Sequence, residues 1–492
     1  MKKRRRNESK SRPVVVTGIG LVTALGDDRA RTWQALLSGK RGLRWLGSEC
    51  ELPVGGRRRG LELVTESLRV GGPAPLLEER LSELRNKVPA EVWKFCDEPV
   101  TALALVAAVE AVEDAGLEWP VALLDRRGAC VVGTSKGGVW AWRGWFERRL
   151  RHLQEEEADE RVPALVGVES ERGREERARQ NAVAEMVKAE AWGRPARRWS
   201  GASGELRSAA GEWLWASPST PAAVVAAVLG LQQAAVCPVA ACATGLASVA
   251  YGAELVGRGE CDVAVVGSSD VSLHPLLLAG YRRMGVLARG FNDPAEAVRP
   301  FDCRRNGFLV GEGAAVLVLE SLEQAVKRDA RIYAEWVGHG WTTDCSGLVS
   351  LDSNPEPLVY LVQRLLEQNG VEPSQLGLLN LHGTATVQND RYEAVALQQV
   401  LGNAVNHSWA FAAKGALGHL LGATGSVELA LTALALHEQV VPPTVNLSEQ
   451  DEVCHLRFAT DSAQPARFRY ALKLSLGFGG HLMAALLRRP LV

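Results

Sequence analysis

No two cysteines in this chain are spaced as C-x-x-C, and the nine present are scattered from Cys50 to Cys454. An odd, dispersed set does not suggest a disulfide framework and fits a reducing, cytoplasmic setting. No apolar run reaches the roughly 18 residues that a membrane-spanning helix needs. A dominant charge is missing too: 56 Lys and Arg stand against 57 Asp and Glu, for a formal net charge of -1. Nothing global therefore points to nucleic acid or to a membrane surface as partner. Residues 1–12, with Lys2-Lys3-Arg4-Arg5-Arg6, lack the long apolar stretch of a signal peptide and read as a solvated basic tail. No motif calls for a metal or an organic cofactor.

What is present is a large core. Of 492 residues, 47% are hydrophobic, and short apolar runs alternate with helical spacing. Pro13 to Gly20 reads as a buried strand ended by its glycines, followed by a helix around Arg29 to Leu37. Ala102 to Ala115 and Gly245 to Val256 have helical periodicity; Cys130 to Gly133, Val236 to Ala241 and Val263 to Val266 have strand length. Nearly all-apolar strands alternating with helices predict α/β sheets covered on both faces. From Ile332 onward a second strand–turn–helix series echoes the first, through Leu378 to His382, Trp409 to Lys414 and a helix from about Gly425 to Leu436. The reading is two similar halves, 13–330 and 331–492. A segment at about 143–212 breaks the pattern with dense Arg and Glu and several Trp. It is either a solvated, salt-bridged excursion or a cap or docking arm.

Three places carry chemistry. Cys242 sits where an apolar strand gives way to a helix, in Ala241-Cys242-Ala243-Thr244-Gly245. A helix N-terminus is expected to lower the thiol pKa and to offer backbone N–H groups to an oxyanion; a buried inert cysteine is the bland alternative. His382-Gly383-Thr384 ends a strand at the sheet edge where α/β proteins place ligands, with Asp390 and Glu393 downstream. Lys414-Gly415-Ala416-Leu417-Gly418-His419 brings a second histidine among glycines and a lysine that, if buried, needs a carboxylate. Gly477-Phe478-Gly479-Gly480 is a loop able to swing an aromatic ring.

The order Cys242, His382, Lys414, His419, Gly477-Phe478-Gly479-Gly480, together with Arg299-Pro300-Phe301-Asp302 and Gly311-Glu312-Gly313, resembles the elongating β-ketoacyl-acyl-carrier-protein synthases. The resemblance covers the chain from about Pro13 onward, except the charged segment. It implies a thiolase-like fold, two halves in a five-layered αβαβα stack, and a cytoplasmic homodimer, with pairing to a related subunit as the variant. It also implies decarboxylative Claisen condensation for fatty-acid or polyketide-like synthesis. Cys242 would carry the acyl group delivered by acyl carrier protein, and His382 and His419 would hold the malonyl thioester carbonyl. The backbone N–H groups of Cys242 and Phe478 would hold the oxyanion, and Phe478 would gate the site. Lys414, paired with Glu393, would order the site, with Asp390 as a further supporting acid.

Several residues depart from the family pattern. Lys136, in Gly133-Thr134-Ser135-Lys136-Gly137-Gly138, stands where the family usually has an apolar residue lining the acyl pocket. A charge against a fatty tail is costly unless paired, so either the lysine points elsewhere or the tail is short or polar, or enters differently. His481 and Ala240 replace commoner threonines. Two other functions stay open at this stage: an acyltransferase of the same fold that does not decarboxylate, and a chain-length-setting partner subunit.

Overall fold

The computed structural model describes residues 12–47, 53–54, 69–119, 126–141, 214–460 and 462–490. The basic tail, apart from Arg12, and the charged segment therefore lie outside the described residues. Eleven strands form the main sheet: β1 (Val14–Thr23), β2 (Gly128–Gly133), β3 (Ala234–Val236), β4 (Val263–Asp270), β5 (Gly313–Ser321), β6 (Ala334–Thr343), β7 (Leu376–Asn380), β8 (Trp409–Phe411), β9 (Arg457–Phe458), β10 (Tyr470–Gly477) and β11 (His481–Arg488). The hydrogen-bonded order is β9-β8-β7-β10-β11-β6-β1-β5-β4-β2-β3.

The order contains one pattern twice. On one side β3, β2 and β4 are mutually parallel, while β5 and then β1 add antiparallel. On the other, β8, β7 and β10 are parallel, while β11 and then β6 add antiparallel. The two sets touch through Val14–Val16 of β1 against Ala334–Trp336 of β6.

Helices complete the layers. α1 (Arg29–Leu37) is capped by the Asp28 carboxylate, which accepts from the Arg31 N–H. α2 (Pro99–Asp114) and α3 (Thr220–Leu229) cover the outer face of the first set, while α6 (Glu356–Gln368) covers that of the second. α4 (Thr244–Gly257) and α8 (Thr424–Glu438) touch strands of both sets and are buried on almost every position. A helix apolar all round is stable only as such an inner layer. This is the five-layered arrangement expected from the sequence.

One strand end differs from expectation. β1 continues through Gly18 and Gly20 to Thr23, because these glycines do not make a turn. A Cβ at either would overlap the carbonyl of Ala111 or Ala107 on α2, so they let a helix lie directly on the strand.

Candidate active site

Both inner helices begin alike. Ala241-Cys242-Ala243-Thr244-Gly245 opens α4 and Leu421-Gly422-Ala423-Thr424-Gly425 opens α8, each through one short 3₁₀ turn. Ala241 (φ 47°) and Leu421 (φ 49°) take left-handed backbone in both, a strained conformation for a side-chain-bearing residue that makes a sharp turn. Gly245 and Gly425 let the two N-termini cross: a Cβ on the first would overlap the Ser426 N–H, and one on the second the Leu246 N–H. The crossing brings the nucleophile's turn beside the turn that follows His419. Gly477, at the end of β10, lies against the same turn; a Cβ there would sit 3.2 Å from the Cys242 nitrogen.

Cys242, His382, His419 and Phe478 line one cavity of about 130 Å³, with Val286, Phe308, Thr384 and Leu348 among the other walls. The rings of His382 and His419 meet edge to face at 5.3 Å between centroids, and Phe308 meets His419 in the same manner at 4.8 Å. Sulfur and imidazoles, 140 and more residues apart in sequence, thus share one pocket.

Hydrogen bonds set the histidine tautomers. The Leu421 N–H donates to His419 Nδ1 at 3.2 Å, and Thr424 Oγ1 lies 3.0 Å from the same nitrogen. Lys414 Nζ lies 3.4 Å from His382 Nδ1; a lysine only donates. Each Nδ1 is therefore an acceptor and each Nε2 carries the proton. Burial, reinforced by Lys414, holds both imidazoles well below the usual histidine range, so they are neutral N–H donors.

Two expectations need correction. Lys414 does not pair with Glu393. It donates to the His382 carbonyl and, at 2.8 Å, to Glu428 on α8, whose other oxygen takes Lys473 of β10 at 2.6 Å. Glu393, on α7 (Val387–Leu401), instead accepts the backbone N–H groups of His382 (2.6 Å) and Gly383 (2.7 Å), clamping the turn that carries the histidine. Burial pushes its carboxyl up to about 7. Asp390 lies further back, accepting from Phe301 and Ala385 N–H groups beside Arg305, and burial raises it to about 6.

The second correction concerns the thiol. Burial raises Cys242 to about 11 despite the opposing fields of Lys136 and Lys414 and a hydrogen bond with the Phe478 backbone. The helix N-terminus does not win, because burial disfavours the charged thiolate.

Sequence reasoning missed Glu428 and Lys473. The available signal for Glu428 was a lone carboxylate within the apolar run Val427 to Leu436. Lys136 is ion-paired, 3.1 Å from Asp270. Among the described residues no His, Cys, Asp or Glu cluster is arranged for a metal, and no helix is long and apolar enough to cross a membrane.

The descriptions "Beta-ketoacyl synthase, N-terminal domain" and "Beta-ketoacyl synthase, C-terminal domain" match residues 11–325 and 333–448. A putative polyketide beta-ketoacyl synthase 1 of Streptomyces cyaneus is 32% identical, over 98% of this chain and 99% of its own. A 3-oxoacyl-acyl-carrier-protein synthase 2 of Staphylococcus aureus (strain COL) is 29% identical, over 96% and 97%. The solved ishigamide ketosynthase/chain length factor superposes with a TM-score of 0.75 at 27% identity, covering 98% of this chain and 100% of that one. With its sequence matched over nearly its whole length and its sulfur and two imidazoles in one pocket, the chain belongs to the β-ketoacyl synthase family.

Proposed function

We propose that this protein joins acyl groups by decarboxylative condensation, with Cys242 as acyl carrier and His382 and His419 as the donors that stabilise the enolate. The observation that carries the proposal is that His382 and His419 line one cavity with the sulfur while donors occupy the Nδ1 of each, which leaves each Nε2–H to donate. First, Cys242 sulfur attacks a carrier thioester. The S–C bond to Cys242 forms, the carrier's C–S bond breaks, and the thiol proton ends on the carrier. The N–H of Phe478 already reaches the sulfur, and with that of Cys242 it supports the tetrahedral oxyanion.

A malonyl thioester then takes the same entrance. Its carbonyl oxygen accepts from both imidazoles, carbon dioxide leaves, and the electron pair flows into an enolate held by those donors. Being uncharged, the imidazoles do not grip the departing carboxylate. The enolate carbon attacks the acyl carbonyl, the new C–C bond forms, and the Cys242 sulfur is expelled as a thiolate that takes a proton from water. One such donor is worth about 2.7–4 kcal/mol in other enzymes, or 10²–10³ in rate. Lys414 and Glu393 act behind the histidine, one on its ring and carbonyl, the other on its backbone N–H.

The partner proposed as acyl donor is an acyl carrier protein, following the name of the Staphylococcus aureus relative. Assembly as a dimer, with itself or with a related subunit, is proposed from the ketosynthase/chain length factor structure. Free cysteines throughout the described residues favour a reducing compartment such as the cytoplasm.

Incubating the protein with an acyl thioester and then with a malonyl thioester tests the reading. An acyl adduct on Cys242 followed by a β-ketoacyl product is expected. Adduct and transfer that persist unchanged in His382→Ala and His419→Ala would instead establish an acyltransferase that does not decarboxylate.

A further inference from the structure

A group of cations gathers at the end of the sheet away from the nucleophile. β10 and β11 are antiparallel, and Gly477 and His481 at one end of the pair border the active site, while Tyr470 and Arg488 mark the other. At about 3.3 Å per residue the two ends are roughly 25 Å apart. Arg467 and Arg469 precede β10 and Arg489 follows β11, and the Arg489 N–H donates to the Arg469 carbonyl at 2.8 Å. All three arginines are exposed. With His437, from the last turn of α8, they line a cavity of about 680 Å³ whose other walls include Phe468 and Ile332. Among the described residues no Asp or Glu lines it.

The neighbouring arginines are neutralised within the fold. Arg488 pairs with Glu335, and Arg29 and Arg331 both pair with Asp114. Arg467, Arg469 and Arg489 have no ion pair among the described residues. Arg469 lies over the Tyr470 ring, 5.4 Å from its centroid, which leaves its charge uncancelled. Burial and then the field of Arg331, with Arg489 adding to it, lower the His437 imidazole from its usual range, against Glu438 and a hydrogen bond with the Ile332 backbone. Positive potential therefore extends across the cavity. Like charges facing each other on paired strands repel, and an anion entering between them relieves that repulsion. A guanidinium offers a planar fork of N–H donors that takes two phosphate oxygens at once.

We infer that the hollow between the start of β10 and the end of β11 is a second binding site, which takes a small molecule with adjacent phosphate groups on Arg467, Arg469 and Arg489. Three positive charges call for more than a monoanion. The volume falls within the range of small-molecule sites, about 300–1,000 Å³, and Phe468 and Ile332 give an apolar wall to whatever body carries the phosphates. The site stands apart from the condensing chemistry and does not rest on the role of Cys242.

The test is equilibrium dialysis of the full-length protein against pyrophosphate, ADP and citrate at low ionic strength. Pyrophosphate or ADP is expected to bind with a Kd below about 1 mM, more weakly as salt is added. ADP bound more tightly than pyrophosphate identifies a phosphate ester as the ligand; the reverse order identifies a free polyphosphate. Arg469→Gln/Arg489→Gln should weaken that binding by about ten-fold or more, and Arg467→Gln by several-fold. Retention of neither phosphate compound by the wild type overturns the inference. Wild-type affinity in the folded variants overturns the location, and citrate bound more tightly than pyrophosphate overturns the phosphate assignment. Should the double variant misfold, Arg467→Gln, at a residue outside the strands, decides the location.

Discussion

Replacing Glu428 with Gln keeps the shape of the side chain and removes the charge that two buried lysines share. Lys414 and Lys473 are fully buried, and Glu428 is 1% exposed. At 2.8 Å one such attraction is about 6 kcal/mol with an effective dielectric near 20. Much of that is offset by the desolvation of both ions, and breaking a buried pair costs about 3–5 kcal/mol in practice. A 492-residue chain that unfolds as one unit has an unfolding entropy of about 1 kcal/mol per degree, so Tm should fall by about 3–5 °C. Burial already lowers the Lys473 pKa, with Glu428 acting against it; without the carboxylate, this lysine sheds its proton first. A base depressed only in the folded state costs stability below its unfolded pKa, so the deficit should shrink as pH rises toward 10. Adding Lys473→Met to Glu428→Gln should recover part of the loss, since only one ammonium then remains. Thermal unfolding followed by circular dichroism at pH 7 and pH 9.5 measures all of this. A Tm within one degree of wild type at pH 7, or no recovery in the double variant, would mean that the Glu428 charge does not hold the two ammonium groups.

Other outcomes follow from the same geometry. Alkylation of Cys242 by iodoacetamide, read on its own peptide, should keep rising with pH beyond 9, toward the thiol's value of about 11; a plateau below pH 8 would mean a preformed thiolate. Because His382 and His419 stay neutral when folded but take protons when unfolded, each should lower stability by about 1.4 kcal/mol per pH unit below about 6.5. Glu393 and Asp390, raised to about 7 and 6, act the other way as pH falls, so the histidine part is read by comparing wild type with His382→Asn/His419→Asn under denaturant titration from pH 7 to 5. An unchanged slope in the double variant would contradict it. Gly245→Ala or Gly425→Ala should cost at least about 1–3 kcal/mol through overpacking where the inner helices cross; wild-type stability in either would show that the crossing is looser than described.

The nucleophile turn and both histidines were legible because glycines, a strand end and a reactive side chain coincide at each. The two-half organisation was legible as a recurrence of apolar runs, and the shared strand order of the two sets now gives it a physical form. The partner of Lys414 was not legible. Glu393 follows His382 closely in sequence and clamps its turn from α7, whereas the sequence does not show that Glu428, 14 residues after Lys414, is turned toward the lysine within the packed layers. The thiol pKa differs for a related reason: a helix N-terminus is visible in sequence, but the burial of the sulfur is a property of the packed layers. Gly18 and Gly20 looked like turn residues because sequence does not show that a helix lies against the strand. Lys136 was recognisable as out of place, while its remedy, Asp270, required the adjacency of β2 and β4.

Neutral imidazoles at 382 and 419 are expected to serve the enolate and not the acylation of Cys242. The direct measurement is a single turnover from preformed acyl-Cys242 with a malonyl thioester labelled in its free carboxylate, following labelled carbon dioxide. His382→Asn/His419→Asn should acylate Cys242 normally yet release carbon dioxide at least about 10²-fold more slowly than wild type. Release at the wild-type rate from that double variant would show that the two imidazoles do not stabilise the enolate.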